Sequence, residues 1–435
     1  MKFTRTLIAV LLLALAAVPV AAQDAPPRFF IERIDVRNAN RVTPEVVLAE
    51  ARLREGQEYT ELELSDAAAR LNRLPFLLSA DFALERGSER GRHVLVITLA
   101  ETKPFFFLLD IVPILSNDDF DGENVTIANG DRIDTGTSEG VAGFRFFVGR
   151  RGSVHFGLYA RDDNRDYTRD FTALTVGYTQ YEIFGTRAFA TLNLRRPLLE
   201  SANAQISPEL VVGMPLSGNQ TVTLTYDDVN FGRSEETRFD GSTQFRQERE
   251  TIISARWSYD TTNQPFLPTS GTLLSVTPLV ALADRATVVE SRENNRFVLR
   301  PETIHSRTLG IDAVATRHWE LSDRNSVSAG AEAGWAAVDQ RRNGYFGPRD
   351  TDQEPWYGIA RAGFSHSLWT REERKHGDSR FDFNIGWASR HARRQVFTGI
   401  DVVERDSTFD NVQASASWVR RTSWGTLRLG VGYSR

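Results

Sequence analysis

Phe381-Asp382-Phe383-Asn384-Ile385-Gly386-Trp387 alternates one large apolar residue with one polar or small residue. Side chains on a strand point to opposite faces in turn, so this stretch has one oily face and one wet face. The same period recurs elsewhere. Ala188, Ala190, Leu192 and Leu194 oppose Thr191, Asn193 and Arg195. Val222, Leu224 and Tyr226 oppose Thr221, Thr223 and Thr225. Val412, Ala414, Ala416 and Trp418 oppose Gln413, Ser415 and Ser417, and Leu427, Leu429, Val431 and Tyr433 oppose Arg428 and two glycines. From about Phe105 to Arg435 the chain breaks into such segments of roughly ten residues, long enough to cross a bilayer at a tilt. Aromatic residues near their ends suit interfacial girdles. Strands of a soluble sandwich are usually shorter. The expected fold class is an all-β transmembrane barrel of about 15–16 antiparallel strands, preceded by one small α+β domain.

The strands are expected at 104–115, 140–149, 153–161, 169–183, 186–196, 206–216, 219–230 and 249–260. They continue at 270–282, 309–320, 325–338, 356–369, 379–390, 411–421 and 425–435. Short turns such as Arg151-Gly152, Phe184-Gly185 and Ser217-Gly218-Asn219 alternate with polar stretches expected as long loops (116–139, 231–248, 283–308, 339–355, 391–410). Short turns fall after even-numbered strands, which puts them on the side of the N-terminal domain. This count is odd, and the end Gly432-Tyr433-Ser434-Arg435 lacks a terminal aromatic. The expectation is a weakly closed seam between 104–115 and 425–435, a final strand missing, or a further strand within 297–308.

Residues 1–22 read as a signal peptide: Lys2 and Arg5, an apolar run from Leu7 to Leu15, then Val20-Ala21-Ala22 before Gln23. A secreted chain of 435 residues with Cys 0 does not rely on disulfides. Hydrophobic content is 41% and mean hydropathy is -0.34. No apolar run long enough for a helical span follows the signal. A net charge of -5 gives no footprint for nucleic acid.

Residues 29–102 read as β-α-α-β-β. Phe30–Val36 is a strand. Thr43-Pro44-Glu45 starts a helix that runs to Leu53, and Gly56 breaks it. Leu62 to Leu74 is a second helix with Leu64, Ala67, Ala68, Leu71 and Leu74 on one stripe, ended by Pro75. Ala80–Glu85 and His93–Glu101 form a strand pair. The candidate core is Ile34, Val36, Gly56, Leu71, Leu74, Val94 and Val96.

Two features carry a resemblance. The first is Tyr259-Asp260-Thr261-Thr262-Asn263-Gln264-Pro265-Phe266-Leu267-Pro268-Thr269-Ser270-Gly271-Thr272, whose Asp260, Pro265, Phe266, Pro268 and Gly271 resemble a barrel turn of the bacterial surface-antigen superfamily of outer-membrane assembly and translocation proteins. The second is the β-α-α-β-β order with Leu53-x-x-Gly56-x-x-Tyr59 and Leu74-Pro75-Phe76, which resembles a POTRA domain. The resemblance implies a signal at 1–22, a periplasmic POTRA-like domain at 29–102 and an outer-membrane barrel at 103–435. It implies outer-membrane lipids, unfolded client polypeptides and periplasmic accessory proteins as partners, with clients added as a strand to an exposed edge. The superfamily's Val-Arg-Gly-Phe/Tyr loop motif is absent. The corresponding loop, 339–355, offers Tyr345, Gly347 and Arg349, and Arg349 is either an inward arginine or a solvated loop charge.

Other motifs give no chemistry. Gly136-Thr137-Ser138-Glu139-Gly140 matches a hydrolase pattern but precedes a strand, not a helix. Asn117-x-Asp119-x-Asp121-Gly122 resembles the start of a calcium loop, yet its closing position is Ala128. His366, His376 and His391 lack metal-ligand spacing. Arg371-Glu372-Glu373-Arg374-Lys375-His376 reads as a solvated charge run. No catalytic residue, cofactor or metal is expected, and the chain reads as no enzyme. The functional expectation is a pore that assists insertion or translocation of clients. The alternatives are a two-partner-secretion transporter, for whose plug helix the stretch between Gln23 and Phe30 is too short, and a passive structural barrel.

Overall fold

The computed structural model describes residues 27–74, 76–111, 114–116, 138–162, 171–198, 205–217, 219–237, 243–264, 267–293, 296–344, 347–353, 356–370, 373–397 and 402–434. The expected signal segment, the calcium-like stretch, Pro75, Pro265, Phe266 and Tyr345 lie outside these residues.

The N-terminal unit runs β1 (Arg28–Arg37), α1 (Pro44–Ala51), β2 (Gln57–Thr60), α2 (Glu61–Asn72), β3 (Leu77–Arg86) and β4 (Arg92–Glu101). Its sheet order is β2-β1-β4-β3, with β1 parallel to β4 and the outer pairs antiparallel. Thr43 occupies the N-cap of α1, with Pro44 following. Arg52, in the left-handed region at φ 58, ends that helix. A reciprocal capping box starts α2: Thr60 Oγ1 accepts from Glu63 N at 3.2 Å, and Glu63 accepts from Thr60 N at 2.7 Å. The short strand β2 was not expected, because Gln-Glu-Tyr-Thr has no apolar alternation. It exists because it can pair with Arg28–Ile31.

Helices and sheet enclose Ile31, Ile34, Val46, Val47, Leu64, Leu71, Leu95 and Ile97, all buried, with Val36 and Leu74 packed against them. Truncating Leu71 to Ala would cost about 2–5 kcal/mol by the usual cavity penalty. Val94 and Val96 are also buried, but outside this cluster. They share the opposite face with Arg33 and Asp35 of β1 and Ala83 and Glu85 of β3. The pairs Arg33–Asp35 and Arg37–Glu85 span that face. The helix-facing residues of β4 are therefore Leu95, Ile97 and Leu99. Gly56 has φ +74 and donates its N–H to Ile31 O at 2.7 Å.

The rest is a closed barrel: β5 (Phe105–Ile111), β6 (Ile114–Ser116), β7 (Ser138–Val148), β8 (Gly152–Asp162), β9 (Phe171–Gln180), β10 (Phe189–Pro197), β11 (Ser207–Pro215) and β12 (Gln220–Thr237). The circuit continues with β13 (Thr243–Asp260), β14 (Gly271–Glu293), β15 (Arg296–Glu320), β16 (Asn325–Gly344), β17 (Gly347–Gln353), β18 (Trp356–Ser367), β19 (Asp378–Phe397), β20 (Val402–Thr422) and β21 (Gly425–Ser434). β6 continues β5 along β21, and β18 continues β17 along β16, so the circuit has 15 strands. Apolar residues face outward and polar ones inward where the alternation placed them. Leu192, Leu224, Phe383 and Ile385 are exposed, whereas Arg195, Asp227, Asp382 and Ser417 are buried.

Two expectations are corrected. The segments 231–248, 283–308, 339–355 and 391–410 are not long loops. They are hairpins that pair out to Thr237↔Thr243, Glu293↔Arg296, Gly344↔Gly347 and Phe397↔Val402. Both faces there can be polar if both meet water, so the hydropathy alternation disappears while backbone pairing continues. Hence 297–308 is strand, but it is the far half of β15 and not an additional strand. The second correction concerns the strand count: the circuit closes without a sixteenth strand, through the short seam expected between the first and last strands. Gly425–Leu429 pair in parallel with Phe107–Ile111, and Gly432–Ser434 with Ile114–Ser116. An odd strand count closes when its first and last strands run the same way.

Candidate functional site: the inward turn and the docked domain

The turn between β13 and β14, at the domain's end of the barrel, is closely hydrogen-bonded. Asp260 Oδ1 accepts from Thr262 N at 2.8 Å and Thr262 Oγ1 at 2.7 Å. Asn263 Oδ1 accepts from Thr269 N at 3.0 Å and Ser270 N at 3.3 Å, while its Nδ2 donates to Thr269 Oγ1 at 2.9 Å. Thr261 and Thr272 clamp the neck: Thr261 N donates to Thr272 O at 2.8 Å, and Thr272 N to Thr261 Oγ1 at 2.9 Å. Gly271 sits at φ +106, where a Cβ would meet Thr261 O at 2.3 Å. Only glycine fits this approach.

The turn folds inward. Leu267, Pro268 and Thr269 are buried. Pro268 O accepts from Arg380 Nη1 at 3.5 Å, and Gln264 Oε1 from Arg421 Nη1 at 2.8 Å. Arg380 and Arg421 stand on β19 and β20, five or more strands from β13 along the ring order, so the turn bridges separate parts of the wall. Arg380 also pairs with Asp382 at 2.8 Å, and Asp382 with Arg428 of the seam strand β21 at 3.5 Å.

The N-terminal domain docks on this same end. Arg52 donates to Ser217 O, to Thr221 Oγ1 at 3.1 Å and to Gln220 O at 3.5 Å. Arg73, at the end of α2, donates to Thr262 O at 2.9 Å and faces Asp260 at 3.5 Å. Thr43 Oγ1, rather than capping α1, donates to Arg150 O at 2.6 Å. Leu77 O accepts from Arg421 Nη2 at 2.8 Å. Phe76 meets Phe147 edge-on at 5.1 Å. Tyr181 belongs to the domain's own apolar cluster, with Phe147 and Phe189 packed on it.

This junction is electrostatically tense. Burial pushes the Arg52 guanidinium down to about 10, opposed by Glu50 and reinforced by Arg187 and Arg73. Burial takes Arg70 down to about 10 as well, with Arg52 among the causes. Both stay charged at neutral pH. Burial raises the Glu50 carboxyl, against the pull of Arg52 and Arg70. Burial, then Glu50, pushes the Tyr181 hydroxyl up to about 12.

Further along the lumen, ionic groups are matched with each other. Arg195 pairs with Asp227, faces Glu209 at 3.6 Å and lies over the Tyr159 ring at 5.0 Å. Tyr357 Oη lies 3.0 Å from Glu332 and 3.2 Å from Asp312. Buried charge needs such partners. The lumen is thus a polar, charge-paired wall. Among the described residues no group of three or more His, Asp or Glu could hold a metal ion.

Of the residues singled out from sequence, Asp260, Pro268 and Gly271 come together in the inward turn. Gly347 and Arg349 lie on β17, with Arg349 in register with Arg342, so 339–355 is a hairpin and not a loop. Ser138 starts β7, with no helix after it. His391 stacks on Trp356 at 5.8 Å, and His366 Nδ1 contacts Asn325 at 2.8 Å. Within the charge run, Arg374 pairs with Glu320 at 3.2 Å and donates to Asp323 O at 2.7 Å. Arg52, Arg73, Arg380 and Arg421 were not anticipated. Their contacts to the turn and across the junction are distant in sequence, and no local pattern marks them.

No protein-family model matches the chain, and no curated protein does. Among solved structures, the chain is similar to BamA from Haemophilus ducreyi lacking POTRA domains 1-3, at 10% identity over 95% of this chain and 86% of that one, with a TM-score of 0.26. It is similar to CdiB from Acinetobacter baumannii at 10% identity and a TM-score of 0.39, covering 90% of this chain and 60% of that one. It is also similar to CdiB from Escherichia coli, at 13% identity and a TM-score of 0.33, over 96% of this chain and 89% of that one.

Proposed function

We propose that this protein is an outer-membrane barrel that assists insertion or translocation of client polypeptides, its N-terminal domain a POTRA-like receiver on the periplasmic side. The outward apolar band over a polar lumen suits a bilayer-spanning barrel. The observation that carries the receiving role is the sheet order: β3 is a ten-residue strand at the sheet's margin, in a domain bound directly to the barrel's end. An unpartnered strand edge pairs with extended peptide through backbone hydrogen bonds alone, which suits clients of varied sequence. The other margin, β2, has only four residues. No bond is made or broken in this role, and no cofactor enters it.

The test uses the full chain in detergent and an alternating valine–threonine nonapeptide. Leu84→Pro removes a backbone donor from the middle of the β3 edge and should abolish binding. Undiminished binding would remove β3 as the receiving edge. Planar-bilayer conductance separates this reading from a passive barrel, since a client route should show current that changes when peptide is added.

A further inference from the structure

The edge of β3 is not uniformly open, and the way it is closed ties it to the barrel. Phe76 O accepts from Thr102 N at 3.0 Å, so that pair bonds toward β4. The next pair, Leu77↔Glu101, then turns its backbone groups away from β4, because antiparallel pairs alternate. The outward carbonyl of Leu77 is held by Arg421 of the barrel at 2.8 Å. After the irregularity between Leu77 and Ser79, both backbone groups of Ala80 are held by one side chain. Ala80 N donates to Asn72 Oδ1 at 2.7 Å, and Asn72 Nδ2 donates to Ala80 O at 3.3 Å. From Phe82 to Arg86 no strand lies opposite among the described residues.

We infer that a strand added to β3 competes with the barrel for Leu77 O, so that filling the edge releases Arg421. Pairing begins on the open stretch 82–86 and extends toward Leu77. It displaces Asn72 first and Arg421 second. Arg421 grips the inward turn with its other nitrogen, through Gln264. One guanidinium thus joins the domain's edge to the element folded into the mouth. An extended polypeptide on the edge therefore loosens the turn. This rests on the reading of β3 as the receiving edge, and it assigns that edge a regulatory role.

The experiment uses the full chain, the fluorescent valine–threonine nonapeptide, and a cysteine at Ser270 modified by a thiol reagent. In the parent, peptide should speed modification of S270C. Arg421→Gln should bind peptide about tenfold more tightly, the worth of one hydrogen bond to a charged group. Its cysteine should react fast with or without peptide. Gln264→Ala keeps the Leu77 cap but removes the turn contact that peptide must break, so by reciprocity it should bind peptide more tightly than the parent and less tightly than R421Q. If L84P abolishes binding but R421Q and the parent bind equally, the competition is refuted while the edge reading stands. If L84P binds normally, both fail. Should R421Q lose its compact barrel, Asn72→Ala carries the test. It must shift both peptide binding and S270C modification to lower peptide concentration, and no shift overturns the inference.

Discussion

Replacing Gly271 by alanine should unlock the inward turn, and the size of the effect follows from the backbone around it. The added Cβ would lie 2.3 Å from Thr261 O, 2.6 Å from Thr261 C and 2.6 Å from Thr262 Cα. All three are backbone atoms, so no rotamer change relieves the clash. Strain at a sparsely populated φ costs about 1–3 kcal/mol. Shifting Thr261 also weakens the two neck bonds, at about 1 kcal/mol each. The sum is about 3–5 kcal/mol. Gly185 is the control: it too has positive φ, +70, but its Cβ would meet nothing within 4 Å. Gly185→Ala should therefore show backbone strain alone. The assay is the temperature at which the compact band on semi-native gels gives way to the unfolded band. G271A should fall well below G185A. Equal midpoints would refute the packing argument, because the two sites differ in what surrounds them.

Four further outcomes are expected. The barrel should migrate faster unboiled than boiled on cold SDS gels and fractionate with outer membranes; identical migration would contradict a closed transmembrane barrel. Phe184→Cys tests orientation: Phe184 is 99% exposed at the domain's end, so the cysteine should resist impermeant thiol reagents in intact cells and label only after the outer membrane is breached. Arg52→Ala removes donors to Ser217, Gln220 and Thr221 and should weaken docking by about 2 kcal/mol, seen as faster proteolysis between the domain and barrel. Glu50 has a raised carboxyl pKa, so its cost to the docked state falls as pH drops through that value toward 4.5 and returns as pH rises; Glu50→Gln should flatten this dependence and stabilise docking at neutral pH, measured by proteolysis across that range.

The barrel was legible wherever one face of a strand meets an apolar surrounding. Phe381–Trp387 and Ala188–Leu194 announce both their conformation and their facing. The far half of β20, with Glu404-Arg405-Asp406, is as much a strand, yet its sequence resembles a loop. A strand wet on both sides has no reason to alternate. In the domain, Thr43-Pro44-Glu45 carried a start signal for α1, whereas β2 had no signal of its own. The turn's glycine and prolines were visible as punctuation. That the turn points inward was not, because its anchors, Arg380 and Arg421, lie more than a hundred residues away in sequence. Arg421 also holds Leu77, at a separation of 344 residues. Such contacts follow from closing the ring, and one sequence gives no local pattern for them.

Taken alone, an odd strand count argues for an incomplete barrel. The energetics favour closure instead. An open seam would leave the facing N–H and C=O groups of β5, β6 and β21 unpaired beside hydrocarbon, at several kcal/mol each. A parallel ladder is only slightly weaker per residue than an antiparallel one. Even the modest seam observed, with five paired positions and then three, therefore outweighs any preference for antiparallel neighbours. The geometry allows it because β5 and β21 run in the same direction and both begin beside the docked domain, where Lys103 N donates to Ser423 O at 2.6 Å and Phe107 N to Trp424 O at 3.1 Å. Parity restricts direction, not closure. What an even count would add is uniformity of pairing, and the bilayer requires only that every backbone group be satisfied.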